Sequence, residues 1–167
     1  VVDIGATGSW EDTRLDDPNP VIVGDSIYLY FKGLTEGGGD SRKLGLAKAS
    51  LKNLEFKKRE KPILAINGGL EMPRVFKHNN EWHLFLRSFD PGSNSLWQHF
   101  SSKNGLKWLP QNLKFWNKDF PKSDVTDMSL LFGLNGKILN QPNNIIATGM
   151  ENDIMKLWYL NLEITNE

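Results

Sequence analysis

The side chains that could do chemistry in this 167-residue chain are mainly carboxylates, because it has no cysteine and only three histidines. The missing cysteines exclude thiolate catalysis, disulfides and cysteine-ligated metal sites. His78 and His83 are five residues apart, which places them on opposite faces of one strand, so they do not predict a shared metal site. No Ser-His-Asp arrangement has motif support. The candidates for acid–base chemistry are therefore Asp and Glu residues.

The most notable of these carboxylates stand at repeated positions. Asp17, Met72 and Asp127 are separated by 55 residues each time, and each opens a short apolar segment. Glu71 directly precedes Met72, and Asp124 lies three residues before Asp127. The regular offset predicts that one structural unit is repeated along the chain and that these positions are equivalent.

The repeat extends into the segments that follow. Without gaps, Tyr28–Phe31 aligns with His83–Leu86, and after a small loop deletion Leu46–Ser50 aligns with Gln98–Ser102. The match fades at Ile138, so the third copy is the most diverged. We expect one domain over residues 1–167, with copies at approximately 10–64, 65–119 and 120–167.

The composition between these positions is typical of an all-β protein. Fifteen Gly and eight Pro residues separate short runs rich in β-branched and aromatic residues. A repeat of about 50 residues with about four strands is typical of a β-propeller blade. Within Ile27–Phe31 both odd and even positions are apolar, as expected for a sheet buried on both faces. We therefore predict an all-β propeller unit of about three four-stranded antiparallel blades; three unrelated hairpin pairs in a β-sandwich are the alternative.

The balance of charges indicates which kinds of partner the chain is suited to bind. Twenty basic and twenty acidic side chains give a net charge of zero, which argues against a main role in binding nucleic acid or an anionic membrane. No apolar run approaches the roughly 20 residues of a membrane span. The chain opens at Val1 without an initiator methionine, so we interpret it as a mature chain or a piece of a longer one. The compartment stays open, with a secreted or periplasmic location favoured over a cytoplasmic one.

The number of blades raises a question of assembly. Propellers typically have about four to eight blades, so three blades do not close a ring and leave two faces uncovered. We expect self-association or further blades of a parent chain, with apolar contacts near Val1–Ile4 and Leu157–Ile164.

Three segments of the sequence resemble a known family. Asp17–Phe31 resembles the start of a blade in the five-bladed β-propeller glycosidases, the group around glycoside hydrolase families 43, 32, 62, 117 and 130. Glu71–Leu86 is similar to the Glu-Asp-Pro-Arg-Val-Phe form of this unit, and Ser102–Trp108 to the Ser-x-Asp-Gly-x-x-Trp turn that closes many blades. The resemblance covers nearly the whole chain, strongly over 10–108 and weakly after 120. It implies a propeller of the five-bladed type that acts on carbohydrate.

The resemblance also implies catalytic carboxylates. Glycoside hydrolysis needs two carboxyl groups that flank one bond, and in these families they lie near the start of the innermost strands. Asp17 stands at the position of the general base or nucleophile, and Asp127 is the candidate second carboxylate. The alternative for Asp17 is a turn residue that hydrogen-bonds its own backbone. Asp16 and Asp124, beside these two, are predicted to contact substrate.

The second copy departs from the family pattern. Met72 occupies the position of an Asp that orients substrate and tunes the acid, and a thioether can do neither. Glu71 is a third catalytic candidate, but it reaches the pocket only if a β-bulge re-aims it; otherwise we expect an ion pair with Arg74. Arg74 is in turn a candidate for binding a sugar hydroxyl or carboxylate. This departure leaves open whether the chain hydrolyses a substrate.

Trp10 completes the predicted site as a platform for a sugar ring, and packing within the protein is its alternative. No cofactor or metal ligand is predicted, although a structural cation on the propeller axis is left open. The leading prediction is a glycoside hydrolase-like protein that acts on an oligo- or polysaccharide. The alternatives are a non-catalytic carbohydrate-binding propeller and a protein-interaction propeller.

Overall fold

The computed structural model describes residues 2–36, 41–78, 80–89 and 97–111 with their side chains. It describes the strands within 125–130, 145–151 and 154–160 by their backbone. The chain divides into two compact units, Val1–Gln111 and Asn112–Glu167. No helix in the described part of the chain is long and apolar enough to cross a membrane.

The first unit consists of two four-stranded antiparallel sheets, each in chain order. Blade 1 contains β1 (Arg14–Val23), β2 (Ser26–Leu34), β3 (Lys43–Ser50) and β4 (Lys57–Lys58). Blade 2 contains β5 (Leu70–His78), β6 (Glu81–Ser88), β7 (Trp97–Ser102) and β8 (Leu109–Gln111). The two sheets confirm the all-β prediction.

The second unit contains a three-stranded antiparallel sheet within its described residues. Its strands are β9 (Val125–Leu130), β10 (Ile145–Glu151) and β11 (Ile154–Leu160), in the spatial order β11-β10-β9. Successive strands pair antiparallel in this sheet, as they do in the two blades.

The 55-residue repeat is visible in the backbone geometry. β1 carries a register shift between Asp16 and Asn19, and β5 carries one between Glu71 and Arg74, which is the same place 55 residues later. Within each shift one residue has a left-handed backbone: Asp17 has φ 52° and Met72 has φ 51°. This conformation is uncommon outside glycine, so its recurrence shows that both inner strands contain the same β-bulge.

The third strands of the two blades align differently from the sequence prediction. Tyr30 pairs with Leu46, whereas the equivalent Phe85 pairs with His99, so the offset between these strands is 53 residues (99 minus 46). The predicted match of Leu46 with Gln98 is therefore wrong by one residue. Since side chains alternate between faces, that slip would have moved the whole strand to the wrong face.

The core of the first unit lies between the two blades. Tyr30, Leu44 and Leu46 of blade 1 and Leu84 and Leu86 of blade 2 are all fully buried in one apolar cluster. On β6 every residue of Trp82–Leu86 is buried, so this strand, which is apolar except for His83, buries both faces. Blade-on-blade packing thus fixes how the inner strands β1 and β5 lie beside each other.

A buried hydroxyl forms a directional hydrogen bond between the two blades. The Tyr30 hydroxyl donates a hydrogen bond to the Gly105 carbonyl oxygen at 3.1 Å. Gly105 has φ 69°, and a Cβ at this position would lie 2.5 Å from the Tyr30 hydroxyl oxygen, so both its backbone and its surroundings require glycine. Ser102 and Asn104 accept hydrogen bonds from the backbone of this turn. These contacts explain the Ser-x-Asn-Gly sequence that closes blade 2.

The N-terminal segment lies on the opposite face of blade 1. The Trp10 ring stacks on Phe31 with 6.0 Å between centroids, and its indole N–H donates to the Glu60 carbonyl oxygen at 3.0 Å. A Cβ on Gly33 would lie 2.5 Å from the Trp10 ring, so glycine leaves the room that this ring needs. Residues 2–12, which we call the N-terminal strap, therefore contact a face that the sequence predicted to be uncovered.

The Tyr30 hydrogen bond gives a first test. We expect Tyr30→Phe to lower the free energy of unfolding by about 1 kcal/mol or more, because the buried Gly105 carbonyl loses its donor. Tyr28→Phe is the matched control, since no described hydrogen bond involves the Tyr28 hydroxyl. Urea unfolding would measure both; equal losses from the two variants would contradict a specific role for the Tyr30 hydroxyl.

Candidate functional site

The predicted carboxylates of the first unit converge on one buried lysine. Lys32 on β2 is only 5% exposed. Its ammonium nitrogen lies 3.1 Å from Asp17 Oδ2, 3.4 Å from Asp16 Oδ2 and 3.7 Å from Glu71 Oε1. Asp16 and Asp17 belong to blade 1 and Glu71 to blade 2, so this carboxylate cluster spans the contact between the blades.

Strand alternation explains why a lysine occupies this place. Tyr30 and Lys32 are two residues apart on β2 and thus point to the same face, which packs on blade 2. A charge withdrawn from water needs compensation by partners of opposite charge. The three carboxylates provide that compensation and, in return, Lys32 holds them together.

The β-bulge explains why adjacent residues reach the same ammonium. In a regular strand Asp16 and Asp17 would point to opposite faces. The left-handed backbone of Asp17 breaks the alternation, and both carboxylates contact Lys32. The bulge on which the prediction for Glu71 depended is present in β5, and Glu71 lies in the cluster.

Two arginines surround the cluster. Arg14 pairs with Asp16, and Arg42 pairs with Glu71 at 3.1 Å between Nη1 and Oε1. Burial alone would raise the pKa of Asp16, but the hydrogen bond from Arg14 and the charge of Lys32 outweigh it, and the pKa lies below its ordinary value. Asp16 is consequently held as a carboxylate anion.

Asp17 also joins the two blades through the backbone. Its Oδ2 accepts a hydrogen bond from the Met72 N–H at 3.0 Å, and Asn19 Oδ1 accepts one from the Val75 N–H at 2.7 Å. The predicted alternative for Asp17 was a bond to its own backbone; the described bond instead goes to the next blade. The second carboxylate oxygen of Asp17, Oδ1, takes part in none of the described contacts.

The structure gives each of the other predicted site residues a different position. Trp10 packs on Phe31, on the face of blade 1 opposite to Lys32. This contact corresponds to the alternative considered for Trp10, which was packing within the protein. Arg74 lies on β5, where its guanidinium donates to the Pro73 carbonyl oxygen. Asp127 pairs with Thr148 in the backbone of the second unit. The side chain of Asp127 and the whole of Asp124 lie outside the described residues. The roles predicted for these residues stay predictions.

Sequence reasoning missed Lys32, Arg42 and Asn19. The signal for Lys32 was a single charge that directly follows the apolar run Ile27–Phe31. A lysine at the end of such a run also occurs where a strand simply enters solvent. Only the burial of this lysine and its three partners identify it as part of the site.

The histidines of blade 2 form a separate pair. His83 Nδ1 and His99 Nε2 are 3.1 Å apart. The prediction that His78 and His83 lie on one strand is wrong, because His78 ends β5 and His83 lies on β6, with 6.4 Å between the ring centroids. Burial lowers the pKa of His83 and lowers that of His99 to about 4, so the pair is neutral near pH 7. Among the side chains that the structure describes, no group of three His, Asp or Glu is placed to hold a metal ion.

The dependence of the cluster on Lys32 can be tested by removing its charge. We expect Lys32→Met to lower the free energy of unfolding by about 3 kcal/mol, because three partly buried carboxylates then repel one another without compensation. Arg14→Met, which removes an exposed cation from the same cluster, should cost less than about 1 kcal/mol. Chemical denaturation at neutral pH would measure both; equal costs would contradict the central role of Lys32.

No protein-family model and no curated protein matches this sequence. Solved structures do match. One represents the GH130 family of mannoside phosphorylases, which contains glycoside hydrolases that target β-1,2 mannosidic linkages in Candida mannan (18% identity, 91% of this chain and 52% of that chain, TM-score 0.62). Another is a glycoside hydrolase from Parabacteroides distasonis (20% identity, 87% and 50%, TM-score 0.62). A third is the arabinanase Arb43A from Bacillus subtilis (21% identity, 89% and 53%, TM-score 0.55).

These similarities cover most of this chain, which spans about half the length of the structures it matches. At such low identity they bear on the fold. Together with the repeated sheets and bulges, they confirm the predicted resemblance at that level: the chain has the fold of the β-propeller glycosidases.

Proposed function

We propose that this chain is a carbohydrate-active propeller unit that binds an oligo- or polysaccharide at the carboxylate cluster. The observation that supports this most is the convergence of Asp16, Asp17 and Glu71 on Lys32 at the bulged start of two inner strands. Carboxylates and ammonium groups bind sugar hydroxyls through charge-assisted hydrogen bonds. In the resembled glycosidases the catalytic carboxylates belong to the same part of the blade.

Within this proposal Asp17 is the base or nucleophile. Its Oδ2 is held by Lys32 and by the Met72 N–H, which fixes the orientation of the carboxylate. Its Oδ1 is the oxygen available to a substrate or to an attacking water. A fixed carboxylate with one available oxygen suits either role in glycoside hydrolysis.

Glu71 fits a positioning role better than that of the acid. The general acid of a glycosidase must donate a proton to the leaving oxygen. Both described partners of Glu71, Lys32 and Arg42, are cations that donate hydrogens to it. A second catalytic carboxyl group would then come from Asp127 or from blades outside this chain, and we propose slow or no hydrolysis by this chain alone.

A non-catalytic carbohydrate-binding propeller is the second candidate. Met72 is the observation that favours it, because its side chain replaces a carboxylate of the family pattern at the start of the inner strand of blade 2. Sugar binding without turnover would decide for this candidate.

Asp17→Asn tests the proposal. We expect any hydrolysis of aryl glycosides or oligosaccharides to fall by at least about 100-fold, because an amide can act neither as base nor as nucleophile. The free energy of unfolding should also fall, by about 1 kcal/mol or more, since Lys32 loses one of its charged partners. Asp25→Asn, at an exposed turn, is the matched control and should change neither quantity. Turnover that survives Asp17→Asn would contradict the assignment.

We also propose that a further blade, from a longer chain or a second copy, packs on blade 1. Leu29 on the face opposite to blade 2 is half-buried, whereas its equivalent in blade 2, Leu84, is fully buried against blade 1. A cavity of about 260 Å³ beside Leu29 and Phe31 remains open on this face. Burial of an apolar sheet face is the main gain from packing two blades together.

Sedimentation velocity across a tenfold dilution would test this packing. We expect a concentration-dependent mass above 19.0 kDa, reduced by Leu29→Lys because a charge would then enter the interface. Ile22→Lys is the control, since the equivalent position of blade 2 already carries Lys77. A 19.0 kDa species at all concentrations would show that the strap is a sufficient cover for this chain.

A further inference from the structure

A groove of about 620 Å³ runs along the outer edge of blade 1, between β3, β4 and the loop that joins them. Its lining residues lie on β2, β3 and β4, in the loop between β3 and β4 and directly after β4, and none of them belongs to the carboxylate cluster, so the groove is a separate site. Four of its lining residues are cations and one is an acid: Lys48, Lys57, Lys58, Arg59 and Glu55.

Most of this positive charge has no described counterion. Lys58 is neutralised by Glu11, with 2.7 Å between Nζ and Oε1. Lys48, Lys57 and Arg59 take part in none of the ion pairs that the structure describes. Glu55 accepts a hydrogen bond from the Asn53 side chain at 3.3 Å. The groove thus presents an excess of positive charge in a chain whose net charge is zero.

Two of these cations face each other across the strands. Lys48 on β3 and Lys57 on β4 are register partners. Like charges directly opposite each other destabilise a sheet. The Lys48 ammonium is held over the Tyr28 ring, 3.9 Å from its centroid, so this half-buried lysine cannot simply turn away into solvent. An anion placed between the two lysines would remove the repulsion.

Blade 2 shows that the fold does not require this arrangement. His83, the equivalent of Tyr28, pairs with Ser101, and Ser101 pairs with Leu109. Ser101 and Leu109 therefore occupy the positions of Lys48 and Lys57, and the groove at this edge of blade 2 has about 310 Å³. Lysines on edge strands do prevent unwanted pairing. That role explains an exposed Lys57, but it does not explain a half-buried Lys48 opposite to it.

We propose that the groove of blade 1 binds the anionic groups of an acidic polysaccharide, the carboxylates of a uronate or the sulfates of a sulfated glycan. That the ligand is a carbohydrate rests on the proposed function; that it is anionic rests on the groove. Lys48 and Lys57 supply point charges, and Arg59 offers a planar fork that matches a carboxylate or sulfate. Leu54, 54% exposed in the adjoining loop, offers an apolar contact for the C–H face of a sugar.

Nucleic acid fits the groove less well. Single-stranded nucleic acids bind through aromatic rings that stack on the bases as well as through phosphate contacts. None of the described residues that line the groove is aromatic, and Tyr28, which lies beside Lys48, has one face of its ring covered by the Lys48 ammonium. The groove therefore offers charge without a stacking surface.

Calorimetric titration of the full chain would test the proposal with four probes: oligogalacturonate, a sulfated chondroitin oligosaccharide, neutral mannohexaose and a single-stranded oligonucleotide. We expect the wild-type chain to bind at least one acidic glycan. Lys57→Gln combined with Arg59→Gln should weaken this binding by about tenfold or more. Lys103→Gln combined with Lys107→Gln makes the same charge change at the blade 2 groove and should weaken it by less than about twofold. The affinity of the two acidic glycans identifies the anionic group.

Four outcomes would overturn the inference. Equal weakening by both double variants would show general electrostatic attraction instead of a site. Binding of the oligonucleotide with the same dependence on Lys57 and Arg59 would show that the ligand is not a carbohydrate. Binding of mannohexaose without binding of either acidic glycan would refute the groove and leave the proposed function standing, whereas failure of all three glycans would refute both.

Discussion

The first unit depends on the buried ammonium group of Lys32, which lies where the two sheets meet. An uncompensated charge at this depth would oppose the packing of the apolar cluster beside it. The sequence meets the constraint with acidic residues from both blades, and the bulge in β1 brings Asp17 to the ammonium together with Asp16, which is the cross-strand partner of Lys32. The charge distribution, the left-handed residues and the contact between the blades therefore depend on one another.

The bulge has a second effect, on the backbone. Met72 lies within the bulge of β5 and Val75 follows it on the same edge strand, and the N–H groups of both take acceptors outside the ladder between β5 and β6. Asp17 and Asn19 of the preceding blade provide them. An acidic residue at the start of an inner strand therefore has a structural task even without catalysis. In blade 2 the corresponding residues are Met72 and Arg74, so the same pair of acceptors does not recur there.

The sequence was sufficient to predict the architecture and part of the site, and there are physical reasons why the rest could not be predicted. Strand identity and the 55-residue offset follow from turn residues and from apolar runs without alternation, which are local signals. The third-strand register could not be read in this way, because the chain takes 16 residues from Tyr30 to its partner Leu46 (46 minus 30) but 14 from Phe85 to its partner His99 (99 minus 85). The predicted alignment of Leu46 with Gln98 overestimated this difference by one residue. Asp17 and Glu71 were found through their repeated positions. Lys32 was not, since the burial of a lysine depends on partners distant in sequence.

The N-terminal strap has a consequence for any sheet that packs on the outer face of blade 1. Trp10 already occupies the space above Gly33 and Gly45, and Lys58 holds the strap through Glu11 and the Asp3 carbonyl oxygen. An incoming sheet that covers this area competes with a segment of the same chain, whose tether gives it an effective concentration in the millimolar range. The affinity of such a sheet is reduced by the stability of the strap, so variation in this short segment can tune assembly without any change in the blades themselves.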